Sequence, residues 1–155
     1  MADNEKIASR LRQLLPDILG DTPVTLAYLY GSVAAGQSLP MSDVDVALVL
    51  CRAPDQPELS PKERFLLELT VQDALEQHGI RQPDVRVIDD MPLPFRGQVA
   101  TSGVRLYSRD EFARVEFETR TWKEYLDFEP VARMMRQALF DDVRERGLVP
   151  KEGKG

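Results

Sequence analysis

Residues 28–50 read YLYGSVAAGQSLPMSDVDVALVL, two apolar runs joined by a loop of small residues. The first run ends in Gly31-Ser32 and the second opens on Asp43-Val44-Asp45. Residues 24–30 are apolar on both faces, as a buried strand requires. Residues 43–50 alternate, so a strand there sets Asp43, Asp45, Ala47 and Val49 on one face and Val44, Val46, Leu48 and Leu50 on the other. Within the loop, residues 33–36 suit the start of a short helix.

Carboxylates at the head of a buried strand are costly unless paired or bound to a metal. Asp43 and Asp45 share a face with α-carbons about 7 Å apart at strand rise, close enough to converge on one ion. Two Mg²⁺ ions roughly 3.5–4 Å apart stabilise both the attacking and the leaving oxygen of an in-line phosphoryl displacement. A third carboxylate is wanted, and Asp84, near the start of the strand expected over 83–88 (PDVRVI), is the best-situated candidate. Gly31-Ser32 supplies the complementary half. Glycine lets backbone N–H groups approach a ligand closely, and a hydroxyl at a helix start favours phosphate.

The rest of the chain arranges helices around these strands. Residues 4–15 read as a helix capped by Asp3 or Asn4, carrying Ile7, Leu11, Leu14 and Leu15 at helical spacing and interrupted by Pro16. Ser60-Pro61-Lys62-Glu63 opens the clearest helix, with a capping Ser, a first-turn Pro and a Glu three residues after the cap; Gly79 ends it. A short helix over 93–101 and an edge strand over 104–107 follow. Ser108 is positioned to cap the last helical region, Pro130 to kink or split it, and Gly147 to stop it. His78 reads as a helix C-terminal cap, Cys51 as a buried small hydrophobe and Asp89-Asp90 as a solvated turn. Trp122, Tyr125, Phe128 and Met134-Met135 read as core, with any exposed subset available to a partner.

With 155 residues, the chain is expected to be one domain over 1–150, with a core over about 20–108, C-terminal helices over about 109–146 and a disordered tail at 151–155. No apolar run approaches the roughly 20 residues of a membrane span, and the polar N-terminus does not read as a signal peptide. The cytoplasm is therefore the expected compartment. One cysteine and one histidine preclude an intramolecular disulfide and a Cys/His zinc site, so any metal is a hard one held by carboxylates. The formal charge of −6 argues against general nucleic-acid binding, which depends on Lys and Arg neutralising phosphates.

Gly31-Ser32, ten intervening residues and then Asp43-Val44-Asp45 resemble the GS-x10-DxD signature of the DNA polymerase beta-like nucleotidyltransferases, specifically their small MNT (minimal nucleotidyltransferase) group. AYLYGS (27–32), SDVDVALVL (42–50) and PDVRVID (83–89) are similar to that group around the signature, and VRLYSRD (104–110) and YLDFEP (125–130) extend the likeness more weakly. The resemblance implies an α/β (α+β) fold, a small mixed sheet flanked by helices with a helical C-terminal region. It also implies Mg²⁺-dependent NMP transfer from an NTP, and a cognate HEPN ribonuclease toxin whose tyrosine receives AMP from ATP. By position, Asp43, Asp45 and Asp84 would hold a two-ion site, Asp84 would help activate the incoming hydroxyl, and Gly31 and Ser32 would hold the triphosphate. The loop departs from the GSxARG form of many relatives, because Val33-Ala34-Ala35-Gly36 carries no Arg. Two rival readings are an antitoxin of weak catalysis that acts by direct binding, and a small-molecule nucleotidyltransferase of the aminoglycoside-modifying kind.

Overall fold

The computed structural model describes residues 2–34, 36 and 43–145, apart from the side chains of residues 2, 3, 32 and 33. In chain order the elements are α1 (Ala2–Leu19), β1 (Leu26–Tyr30), α2 (Gly31–Ala34), β2 (Val44–Val49), α3 (Pro61–Gln77), β3 (Pro83–Val87), α4 (Leu93–Ser102), β4 (Val104–Ser108) and α5 (Glu111–Glu145). The strands form one mixed sheet in the order β3-β2-β1-β4. β1 runs antiparallel to β2 and β4, whereas β2 and β3 are parallel, joined by the α3 crossover. The mixed sheet flanked by helices is the architecture expected from the resemblance, and β4 is an edge strand as read.

Alternation along the strands divides the core into two layers. Val44, Val46 and Leu48 of β2 and Val85 and Val87 of β3 face α1 and α3, burying Leu11, Leu15, Val71 and Leu75 with them. On the opposite face Leu26, Tyr28, Ala47 and Val49 meet Val99 of α4 and Phe117 of α5. Tyr28 is held there by its hydroxyl, which donates to Glu118 Oε2 at 2.7 Å. Glu118 in turn pairs with Arg114 (3.0 Å) and Arg105 (3.1 Å), tying α5 to β1 and β4.

Helix α3 follows local rules. Ser60 Oγ accepts from the Glu63 N–H (3.1 Å), and Glu63 Oε1 accepts from the Ser60 N–H (3.2 Å). His78 is its C-cap and Gly79 follows with φ +88°. Ser60→Ala is expected to lower unfolding free energy by about 1 kcal/mol, read from urea melts.

Several local readings are corrected. Pro16 does not interrupt α1 and Pro130 does not split α5; each helix continues through its proline. Both prolines, and Arg12 and Leu126 four residues before them, are exposed, so water can reach the carbonyl that each missing N–H leaves free. α1 begins at Ala2, so Asn4 lies inside the helix instead of capping it. Ser108 is taken by β4, where it pairs in register with Leu26, and Asp110 caps α5 instead, its Oδ1 accepting from the N–H groups of Phe112 (3.0 Å) and Ala113 (3.2 Å). Asp89 is not a solvated turn residue. Its half-buried carboxylate accepts from the N–H of Leu50 (2.9 Å) and Cys51 (3.3 Å), satisfying donors that lie just beyond β2. Only Asp90 is solvated, in an exposed pair with Arg64 (2.5 Å). Cys51 is half-buried with φ +51°. Gly147 and residues 151–155 lie outside the described residues.

Helix α5 reaches beyond the surface that covers it. Phe117, Thr121, Tyr125, Phe128, Ala132, Met135 and Leu139 recur at three- and four-residue spacing and form one stripe. Phe117, Thr121 and Ala132 are buried, yet Met135 and Leu139 on the same stripe are 63% and 64% exposed. Phe112, Val115, Trp122 and Leu126 form a second exposed apolar row.

Candidate active site

Three strand ends build the site. β1 delivers Tyr30 and Gly31, β2 opens just after Asp43, and β3 pairs with β2 in a register that sets Asp84 beside Asp45. Tyr30 pairs with Asp45 from the other side. Val44 N–H donates to the Gln82 carbonyl at 3.0 Å, which locks the heads of β2 and β3 together. Because the parallel register sets Asp45 and Asp84 on the same face, the sheet itself brings together two carboxylates 39 positions apart in the chain. Asp43, one residue ahead of β2 rather than within it, completes the group.

A carboxylate oxygen from each of Asp43, Asp45 and Asp84 lies within 4.8 Å of the other two. Asp43 is exposed, and Asp45 and Asp84 are half-buried. Burial raises the Asp45 carboxyl above its ordinary value, with the Asp84 and Asp43 charges adding to the rise and Arg86 opposing it. Three carboxylates gathered in this way have the chemistry of a hard-cation site, since oxygen ligands are what Mg²⁺ takes. Gly31 is the steric condition for the arrangement. Its φ is +78°, and a Cβ built on it would overlap Asp45 Oδ2. Ser32 falls within α2 directly after it, and its side chain lies outside the described part.

Two residues not singled out in the sequence also stand at this site. Arg86 Nε donates to Asp84 Oδ1 at 3.4 Å. Tyr30 packs edge-on against Phe95, centroids 5.3 Å apart, and burial together with the Asp45 and Asp84 charges pushes its phenol up to about 12. The period-two pattern of β3 was the available signal for Arg86, because Asp84 and Arg86 fall on one face. A cavity of about 230 Å³ lies at the opposite end of the strands, where Cys51, Arg64, Asp89 and Phe117 contribute to its lining and none of the three aspartates does. Burial pushes the Cys51 thiol there up to about 12, which leaves it a poor nucleophile.

Residues 13–112 match the family described as polymerase beta, nucleotidyltransferase. The chain belongs to that family. No curated protein sequence matches it significantly. Among solved structures, this nucleotidyltransferase is similar to a chain of a toxin–antitoxin crystallised with AMP-PNP, with 26% identity, a TM-score of 0.58 and coverage of 88% of this chain and 98% of that one. A mutant MntA–HpeT toxin–antitoxin gives 26% identity and a TM-score of 0.56 over 88% and 96% of the two chains. A complex of tri-AMPylated Shewanella oneidensis HEPN toxin with MNT antitoxin shares the fold, at 23% identity and a TM-score of 0.55 over 91% and 98%. The nucleotidyltransferase fold expected from the signature is thus the fold of the chain. Among the described residues no helix is long and apolar enough to cross a membrane.

Proposed function

We propose that the protein is an Mg²⁺-dependent adenylyltransferase antitoxin that moves AMP from ATP to a tyrosine hydroxyl of a cognate HEPN ribonuclease toxin and so neutralises it. The observation that carries this reading is the convergence of Asp43, Asp45 and Asp84 beside Gly31. Membership of the nucleotidyltransferase family supports transfer of a nucleotidyl group, and likeness to the toxin–antitoxin chain with AMP-PNP supports ATP as donor and a toxin as partner. The exposed apolar rows of α5 support a protein partner, since solvent is an unfavourable neighbour for Trp122, Met134 and Met135 together.

In this reading Asp43, Asp45 and Asp84 hold Mg²⁺, which when bound supplies charge stabilisation for the attacking and leaving oxygens. Gly31 leaves room for the Asp45 carboxylate and presents its backbone to the phosphates, and Ser32 adds a hydroxyl to the triphosphate site. The acceptor oxygen attacks the α-phosphorus as the bond to the β-phosphate oxygen breaks. Pyrophosphate leaves, and Asp84 helps to take the acceptor proton. The setting is cytoplasmic in this reading.

The test is incubation with α-labelled ATP, Mg²⁺ and the protein encoded by the adjacent open reading frame. Label on a tyrosine of that partner, with loss of its ribonuclease activity, is the expected result. No label on the partner, with Asp43→Ala indistinguishable from wild type, overturns the reading. One observation favours neutralisation by occlusion instead, namely that no Lys or Arg occurs between Arg12 and Arg52, so the phosphate loop carries no cation of its own. Full neutralisation by an Asp43→Ala/Asp45→Ala variant supports that second reading.

A further inference from the structure

We infer that Arg86 is the phosphate-binding cation of this site, exchanging its grip on Asp84 for an oxygen of the bound nucleotide. The inference rests on the adenylyltransferase reading above and names the residue that replaces a charge absent from the loop. A triphosphate beside three carboxylates outweighs even two divalent ions, so a protein cation is needed, and none occurs from Gly31 to Cys51.

Arg86 meets the requirement from the neighbouring strand. It lies two residues beyond Asp84 on β3 and therefore on the same face, in register with Ala47, two residues beyond Asp45 on β2. Ala47 is too short to obstruct a guanidinium above it. The side chain is 54% exposed, and its contact with Asp84 is a single long one, Nε to Oδ1 at 3.4 Å. A guanidinium offers five N–H donors in a planar fork, and phosphate satisfies that fork as well as carboxylate does. When Asp84 turns to a divalent ion, the guanidinium is released at the point where the phosphates lie. Arg86 thus neutralises Asp84 in the absence of metal and the nucleotide in its presence.

The experiment measures two affinities of the full-length chain, Mn²⁺ by electron paramagnetic resonance and a fluorescent ATP analogue with Mn²⁺ present. Arg86→Ala is expected to weaken the nucleotide about tenfold while leaving Mn²⁺ affinity unchanged or tighter, because the carboxylates lose a competing cation. Arg86→Lys is expected to recover part of the nucleotide affinity. Unchanged nucleotide affinity in Arg86→Ala overturns the inference. So does a parallel fall in both affinities with a lowered melting temperature, which marks a structural role. Asp45→Asn, measured alongside, separates the two levels: if it binds Mn²⁺ and nucleotide like wild type, the reading of the site fails, and if it weakens both while Arg86→Ala changes neither, only the role of Arg86 fails.

Discussion

Asp45→Asn is expected to lower AMP transfer at least about 1,000-fold and, in the same protein, to raise the melting temperature measured in EDTA. The two effects share one cause. Asp45 lies close to both Asp84 and Asp43, and its carboxyl is raised by burial and then by their charges. A carboxylate raised in the folded state is disfavoured in its charged form there relative to the unfolded chain. Its contribution is fully present below the unfolded value near 3.8 and is lost as pH rises through the raised folded value. Asparagine removes that charge. The gap in melting temperature between variant and wild type should accordingly be small at acid pH and reach its full size above the raised value. Transfer as proposed needs the opposite condition, an ionised Asp45 able to ligate Mg²⁺, and removing one such ligand is expected to forfeit several kcal/mol of transition-state stabilisation. A variant that melts below wild type throughout, or one that retains a tenth of wild-type transfer, contradicts this account.

The second large effect is expected at Gly31. Gly31→Ala puts a Cβ onto Asp45 Oδ2 and imposes φ +78° on a residue with a side chain. The backbone strain costs roughly 1–2 kcal/mol, and the collision displaces a carboxylate proposed as a ligand, for which about 100-fold in rate is the usual penalty of a shift near 1 Å. Gly79→Ala is the matched control. Its φ is +88°, yet a Cβ there meets nothing within 4 Å, so it carries the strain without the collision. Both variants should therefore lose stability in urea melts, and only Gly31→Ala should lose transfer. Comparable activity in the two variants would remove the collision from the argument.

What could be read from the sequence was what is decided locally or by strand alternation. The Ser60 capping box and the alternation of β2 each involve residues within one element; the box appears as read, and the strand keeps its alternation over Val44–Val49, without Asp43 and Leu50 at its ends. Pairing between strands was legible only as far as the DxD signature carried it. Asp84 could be nominated as a third acid, but its place beside Asp45 depends on the parallel register of β2 and β3, which no short pattern encodes. Arg86 shares a face with Asp84 by the period-two pattern of β3, but its nearness to Asp45 depends on the same register. Proline was over-read as a helix breaker at positions 16 and 130, because the exposure that makes it tolerable is set by tertiary structure. Asp89 was read as solvent-facing because the donors it serves, on Leu50 and Cys51, arrive from 38–39 residues away. The end of α1 gave no local signal at all. It has no basic residue in its last turn, and the Arg109 guanidinium donates instead to the carbonyls of Leu19 (2.6 Å), Gly20 (3.1 Å) and Thr22 (2.8 Å).

The overhang of α5 bears on how the protein's affinity for a partner can be set. Past Ala132 the helix keeps its apolar stripe, but Met135 and Leu139 on it, and Met134 beside it, stand in water. That segment is held chiefly by its own backbone bonds, and short helices held so are marginal in water. It therefore belongs to the low end of the opening free energies within the molecule, well below the sheet. A partner covering the stripe gains the apolar contact and bears the ordering entropy of about one helical segment. Substitutions that alter only helix propensity on the solvent side of residues 133–145 thus become a dial on complex lifetime, acting through the unbound state and away from the proposed site at Asp43, Asp45 and Asp84.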